Sequence, residues 1–75
     1  MPTLADLSSG SLATVTDITA TDPASLRLLE LGVTPGVRVR VVGTAPLGDP
    51  LEIELRGYRL SVRRSEAAVV EVSLS

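Results

Sequence analysis

Two stretches of this chain alternate apolar and charged residues with a period of two. Val37, Val39 and Val41 interleave with Arg38 and Arg40, and Leu51, Ile53 and Leu55 interleave with Glu52, Glu54 and Arg56. One regular backbone places every second side chain in a core and the others in water, and that is a β-strand at the surface of a sheet. Gly57-Tyr58 then reads as a hairpin turn, after which Leu60 and Val62 alternate with Arg59, Ser61 and Arg63. Leu12 to Ile18 reads as a first strand, with Ala13 and Val15 on one face and Thr14 and Thr16 on the other. Val70, Val72 and Leu74 close the chain as a last strand, with Glu71 and Ser73 outward.

Between the first two strands the period changes. Asp22-Pro23 is a helix start: the carboxylate accepts free backbone N–H groups, and proline suits the first helical position. Gly32 is a left-handed stop, so a short helix is expected from Pro23 to Leu31. On a helical wheel Ala24, Leu28 and Leu31 fall on one side, and Leu26 and Leu29 fall nearly opposite. A short helix on a small sheet buries one stripe. One leucine pair is therefore left as a candidate contact surface, unless the N-terminal Leu4 and Leu7 cover it. Leu4 and Leu7 otherwise read as one turn closing an end of the fold, and Arg64-Ser65-Glu66-Ala67 as a brief helical turn. Five short strands and one helix in 75 residues imply a single domain, 1–75, built as a closed or nearly closed small barrel. Pro46-Leu47-Gly48-Asp49-Pro50 is the rigid loop between two of its strands, with Asp49 expected to cap the turn through its carboxylate.

The core must be aliphatic, because Tyr58 is the only aromatic residue. Cysteine is absent, which removes disulfides and makes the cytosol the expected compartment. No apolar run approaches the ~20 residues of a membrane span, and none looks like a signal peptide. Net charge is −2, unevenly spread: Asp6, Asp17, Asp22 and Glu30 face only Arg27 in the first part of the chain. Residues 37–64 reverse this, with Arg38, Arg40, Arg56, Arg59, Arg63 and Arg64 against Asp49, Glu52 and Glu54.

Catalysis is poorly provisioned. Histidine, cysteine and lysine are all missing, so the common bases and activated nucleophiles are absent, and an enzyme is not expected. Soft metal ligands are missing for the same reason. Asp17, Asp22, Asp49, Glu52 and Glu54 offer weak binding of a hard or borderline cation at most, and serve solubility as surface carboxylates. No glycine-rich phosphate loop occurs. The outward arginines would suit nucleic-acid phosphates. Single-strand binders also need stacking aromatics, however, and the interleaved glutamates dilute the potential, so no nucleic-acid partner is expected. Cross-strand ion pairs, or docking to an acidic protein surface, account for Arg38 and Arg40 better.

An ordered set of motifs resembles the ferrous iron transport protein A (FeoA) family over nearly the whole chain. It begins with Leu4-x-x-Leu7 and Gly10, then Val15 and Ile18. Arg27-Leu28, Leu31-Gly32 and Pro35-Gly36 follow, with the valine strand behind them. Pro46-Leu47-Gly48-Asp49-Pro50 is the most specific piece, and Tyr58-Arg59-Leu60, Arg63-Arg64-x-Glu66-Ala67 and Val70-x-Val72 complete the set. The resemblance implies a mainly β fold, an SH3-like barrel of about five strands with one inserted helix. It implies a cytosolic accessory of bacterial ferrous iron uptake whose partner is the FeoB-type transporter, through that protein's cytosolic GTP-binding part. The same module ends metal-responsive repressors, so the alternative is a stand-alone metal-linked regulatory domain, with weak binding of Fe²⁺ or Zn²⁺. On this resemblance Leu28 and Leu31 pack on the barrel, and Leu26 and Leu29 face out. The expected docking residues are then Leu26, Arg27, Leu29, Arg38 and Arg40. An exposed leucine pair also allows self-association into a homo-oligomer.

Overall fold

The alternating segments form strands of one antiparallel sheet. The computed structural model describes residues 2–19 and 21–74; Met1 and Ser75, at the ends of the expected domain, and Ala20 lie outside the described residues. The strands are β1 (Leu12–Ile18), β2 (Arg38–Thr44), β3 (Leu51–Leu55), β4 (Tyr58–Val62) and β5 (Val70–Leu74). Helix α1 (Pro23–Glu30) connects β1 to β2, α2 (Arg64–Ala67) connects β4 to β5, and a 3-10 turn at Leu4–Asp6 precedes β1. The sheet order is β4-β3-β2-β1-β5. It curls into a barrel shape without closing, since β4 and β5 stand at opposite edges of the order.

Two irregularities help it curl. The β1–β5 register shifts between Val15 and Asp17, and the β2–β3 register shifts between Val41 and Gly43. An extra residue in one strand bends that strand and raises the local twist. The outer edge of β5 is covered by the N-terminal segment: Thr3 bridges Glu71, and the Val72 N–H donates to the Pro2 carbonyl at 3.1 Å. Such cover removes the unpaired groups that invite edge pairing.

The core is aliphatic throughout. Ala13 and Val15 from β1, Val39 and Val41 from β2, Leu51, Ile53 and Leu55 from β3, Val62 from β4, and Val70 and Val72 from β5 are all buried together. Leu4 and Leu7 belong to the same cluster, and their turn packs against α2 and β5. They plug an end of the fold, as expected. Leu74 departs from the alternation: it is 63% exposed. It shares the inward face, but its partner across the β1–β5 ladder is the small Ala13, which leaves little surface to cover it.

The hairpin turn is displaced by one residue from its expected place. It consists of Arg56 (φ 49°) and Gly57 (φ 83°), and Tyr58 is already the first residue of β4, paired with Leu55. Positive φ at both central residues is the tight two-residue hairpin turn whose twist matches the flanking strands. Glycine marks it clearly in the sequence; a left-handed arginine does not.

Helix α1 starts and stops as the sequence dictates. The Asp22 carboxylate accepts the Ser25 N–H at 2.8 Å and the Ser25 hydroxyl at 2.7 Å, and Ser25 is buried. At the other end Gly32 takes φ 102°, the Val33 N–H donates to the Leu28 carbonyl and the Gly32 N–H to the Leu29 carbonyl. These two bonds satisfy the last carbonyls of the helix, and Leu28 and Val33, the positions such an ending sets together, belong to the same core cluster. Both residues are fully buried.

Candidate functional site

The outward side of α1 follows from which of its residues the core takes. Leu28 is buried, Leu31 and Leu29 are half-buried, and Leu26 remains 48% exposed. Ala24, which shares the wheel position of Leu28, is exposed, and Ser25 is buried in its place. The inward face is therefore rotated from the expected Ala24–Leu28–Leu31 stripe toward Ser25, because Ser25 must stay beside the Asp22 cap. Leu26 is the apolar residue of α1 that most clearly faces solvent.

Two ties hold the helix. The Arg27 guanidinium donates to the Glu66 carboxylate at 3.3 Å. Glu66 is buried and also accepts the Arg63 N–H at 3.0 Å, so it caps α2 and anchors α1 at once. The Tyr58 hydroxyl donates to the Leu31 carbonyl, fastening the end of α1 to the start of β4. Arg27 thus spends its charge within the domain, although it was expected on the docking face. The Asp22 carboxyl is held below its usual range, chiefly by the Ser25 N–H and next by the Ser25 hydroxyl.

Arg38 and Arg40 lie on the outer face of β2, both exposed. Arg38 stands opposite Thr14, and Arg40 lies between Leu12 on one side and Glu54 on the other. On β4 Arg59 reaches Glu52 at 3.2 Å and Glu54 at 3.9 Å. The cross-strand ion pairs on this face are made by Arg59 with Glu52 and Glu54; among the described residues Arg38 and Arg40 form none. Among the described residues, no hydrogen bond or ion pair joins Leu26, Arg27 or Leu29 to Arg38 or Arg40. The sequence grouped five residues; α1 and β2 carry them separately.

Sequence reasoning missed the role of Arg64. Its Nε donates to the Gly48 carbonyl, its Nη1 donates to the Ala5 carbonyl at 2.8 Å, and its backbone N–H donates to the Asp49 carboxylate at 3.0 Å. Asp49 caps α2 rather than its own turn, and the Pro46–Pro50 loop is braced against α2 and the N-terminal turn. Leu47, at the tip of that loop, is 96% exposed. The one available sequence signal was a leucine set between Pro46 and Gly48, where turn chemistry demands nothing apolar.

Among the described residues, no three His, Cys, Asp or Glu side chains come close enough together to hold a metal ion. With histidine and cysteine absent, the donor set does not fit a tight transition-metal site. No described helix is long and apolar enough to cross a membrane.

A small, curled five-stranded sheet with a helix inserted after its first strand, an SH3-like domain, is the class that this architecture defines. The FeoA domain model matches residues 3–74, and the chain belongs to the FeoA family. It is 35% identical over 71 residues to an Fe(2+) transport protein A/Fe(2+) transporter FeoB fusion protein of Porphyromonas gingivalis, and spans 8% of that protein's length. The solution structure of a FeoA protein from Chlorobium tepidum superposes with a TM-score of 0.89 at 37% identity, covering 97% of this chain and 70% of that one. FeoA from Stenotrophomonas maltophilia, complexed with zinc and described as a prokaryotic SH3 domain protein, gives 0.85 at 35% identity, covering 97% and 91%. The fold alone also matches a manganese-dependent transcriptional repressor, with a TM-score of 0.87 at 21% identity over 36% of that chain.

Proposed function

We propose that this chain is a non-enzymatic accessory of ferrous iron uptake that works on the cytosolic side by docking to a FeoB-type transporter, through that protein's GTP-binding part. The observation that carries the reading is the covalent union of the two functions in the fusion relative, where the transporter and its FeoA portion share one polypeptide. Domains joined in one chain hold each other at high effective concentration, which favours a modest contact surface. The outward side of α1 offers such a surface. Leu26 supplies an exposed apolar anchor, half-buried Leu29 flanks it, and Arg27 holds the helix in place through Glu66. Fe²⁺ is the cargo of the transporter.

The test is calorimetric titration of the chain with the transporter's cytosolic domain. The wild type releases or absorbs heat on binding, and Leu26→Glu does not, while keeping its thermal midpoint. Binding that survives Leu26→Glu moves the docking face elsewhere, and no heat from the wild type removes the transporter as a direct partner. The second reading, a metal-linked domain, rests on the zinc complex of the Stenotrophomonas relative. Anaerobic titration with Fe²⁺ alone tests it: micromolar or tighter binding favours that reading, against the donor set of this chain.

A further inference from the structure

The outer face of β2 carries charge that the domain itself does not use. Arg38 and Arg40 are consecutive outward residues of that strand, both exposed, and Val39 between them is buried. Among the described residues, neither guanidinium makes a hydrogen bond or an ion pair. Other arginines are spent inside the fold: Arg27 on Glu66, Arg59 on Glu52 and Glu54, and Arg64 on the Gly48 and Ala5 carbonyls.

The neighbouring strands offer these two no counter-charge of their own. Across the β1–β2 ladder Arg38 stands opposite Thr14 and Arg40 opposite Leu12, both uncharged. Across the β2–β3 ladder Arg40 stands opposite Glu54, whose carboxylate lies 3.9 Å from Arg59. Exposed Arg56 opens the hairpin turn two residues beyond Glu54, at the same end of the sheet as Arg38, and adds a further cation. The chain carries a net charge of −2, yet it gathers like charges here that repel one another. Carboxylates brought from outside relieve that repulsion.

We infer that the outer face of β2 docks an acidic, extended segment of a partner protein, with carboxylates two residues apart seated on Arg38 and Arg40. Successive outward side chains of a strand are about 6.6 Å apart. An extended segment laid along β2 repeats at the same interval, so acidic residues at every second position meet both arginines in register. Each guanidinium then donates paired N–H bonds to one carboxylate. A second copy of this chain does not supply the segment. Its carboxylates at this spacing, Glu52 and Glu54, are held by its own Arg59. Nucleic acid fits the face poorly. Tyr58 is the only aromatic residue; alternation sets it on the opposite side of β4 from Arg59, and its hydroxyl is tied to the Leu31 carbonyl. Exposed ion pairs make a weak contact, so this face orients an acidic partner and sets its register rather than holding it alone.

Amide and arginine Nε–H chemical shifts of the full chain, followed during titration with a synthetic peptide of alternating Glu and Thr at about 20 mM salt, test this. Saturable shifts are expected at Thr14, Arg38 and Arg40, with α1 unmoved. They weaken at about 200 mM salt and are absent with a peptide of alternating Gln and Thr. Arg38→Gln and Arg40→Gln each weaken binding about two- to fivefold, and the double variant abolishes it. Neither lowers the thermal midpoint, because these side chains hold nothing within the domain. Arg63→Gln removes the same charge from an exposed arginine at the other end of β4 and weakens binding less than either. The inference is overturned by an acidic peptide that gives no saturable shifts, by an equal loss in Arg63→Gln, or by tighter binding of a single-stranded thymidine oligonucleotide at the same residues. Each of these results leaves transporter docking by Leu26 where it stands.

Discussion

The Arg27 guanidinium and the Glu66 carboxylate lie 3.3 Å apart, and through this pair α1 is fastened to α2. Glu66 is the more demanding partner, because its buried carboxylate also caps the Arg63 N–H. Glu66→Ala should lower stability by about 1–2 kcal/mol through loss of the cap. Arg27→Ala, which gives up an exposed guanidinium, should cost no more than about 1 kcal/mol. Urea unfolding of both variants measures the difference, and an Arg27→Ala cost equal to or above that of Glu66→Ala would contradict this ranking.

Gly32 and Tyr58 form a coupled pair. A Cβ at Gly32 would lie 2.8 Å from the Tyr58 hydroxyl, at a φ of 102° that side chains rarely adopt. Gly32→Ala should therefore destabilise by about 1–2 kcal/mol from backbone strain, with the hydroxyl clash added. The same substitution on a Tyr58→Phe background should cost less, since the clashing oxygen is gone. A double-mutant cycle reads the coupling directly; strict additivity would mean that the helix end does not rest on Tyr58.

Leu26 and Leu28 are two residues apart and should behave as opposites. Leu28→Ala leaves a cavity in a closely packed core and should cost about 2–5 kcal/mol. Leu26→Ala removes a side chain half in water and should stay within about 0.5 kcal/mol of wild type. Thermal and chemical denaturation of the two variants check which leucines of α1 the core takes, independently of any partner.

Arg64 should not be replaceable by lysine. Its Nε and Nη1 serve carbonyls of Gly48 and Ala5 at the same time, a fork that a single ammonium does not reproduce. Arg64→Lys should cost about 1 kcal/mol. Its specific signature is faster hydrogen exchange at the Gly48 N–H, which closes the loop onto Ala45.

The Asp22 cap makes a pH prediction with a definite sign. Its pKa is lowered on folding, so its contribution is complete above the unfolded value of about 3.9 and is lost as pH falls through the lower folded value. Asp22→Asn retains a cap but does not titrate. The stability advantage of the wild type over Asp22→Asn should therefore be widest near neutral pH and shrink as pH falls below the unfolded value of about 3.9. Thermal melts of both chains across that range test it, and a constant gap would show that the carboxylate charge is not used.

Much of the fold was legible in the residues because its rules are local. Alternation placed Val39, Val41, Leu51, Ile53, Leu55, Val62, Val70 and Val72 in the core, and the structure buries all of them. Asp22 and Gly32 marked the helix ends through bonds that span three to five residues. The local rules failed where a residue acts against its type. Arg56 takes a left-handed turn position that favours Asn or Gly, and Ser25 displaces Ala24 from the buried face because it completes the cap.

The sequence by itself determined which segments are strands, where the helix begins and ends, that the core is aliphatic, and the family motifs in their order. Only the tertiary structure decided what Arg27, Arg64 and Tyr58 hold, and which leucines remain in water. Arg27 meets Glu66 across 39 positions, Tyr58 meets Leu31 across 27, and Arg64 meets Ala5 across 59. Periodicity and capping are set by neighbours one or two turns away. Pairings at these separations depend on how the strands are ordered and how far α1 rotates on them, so the same arginines could equally have faced a partner until the packing was known.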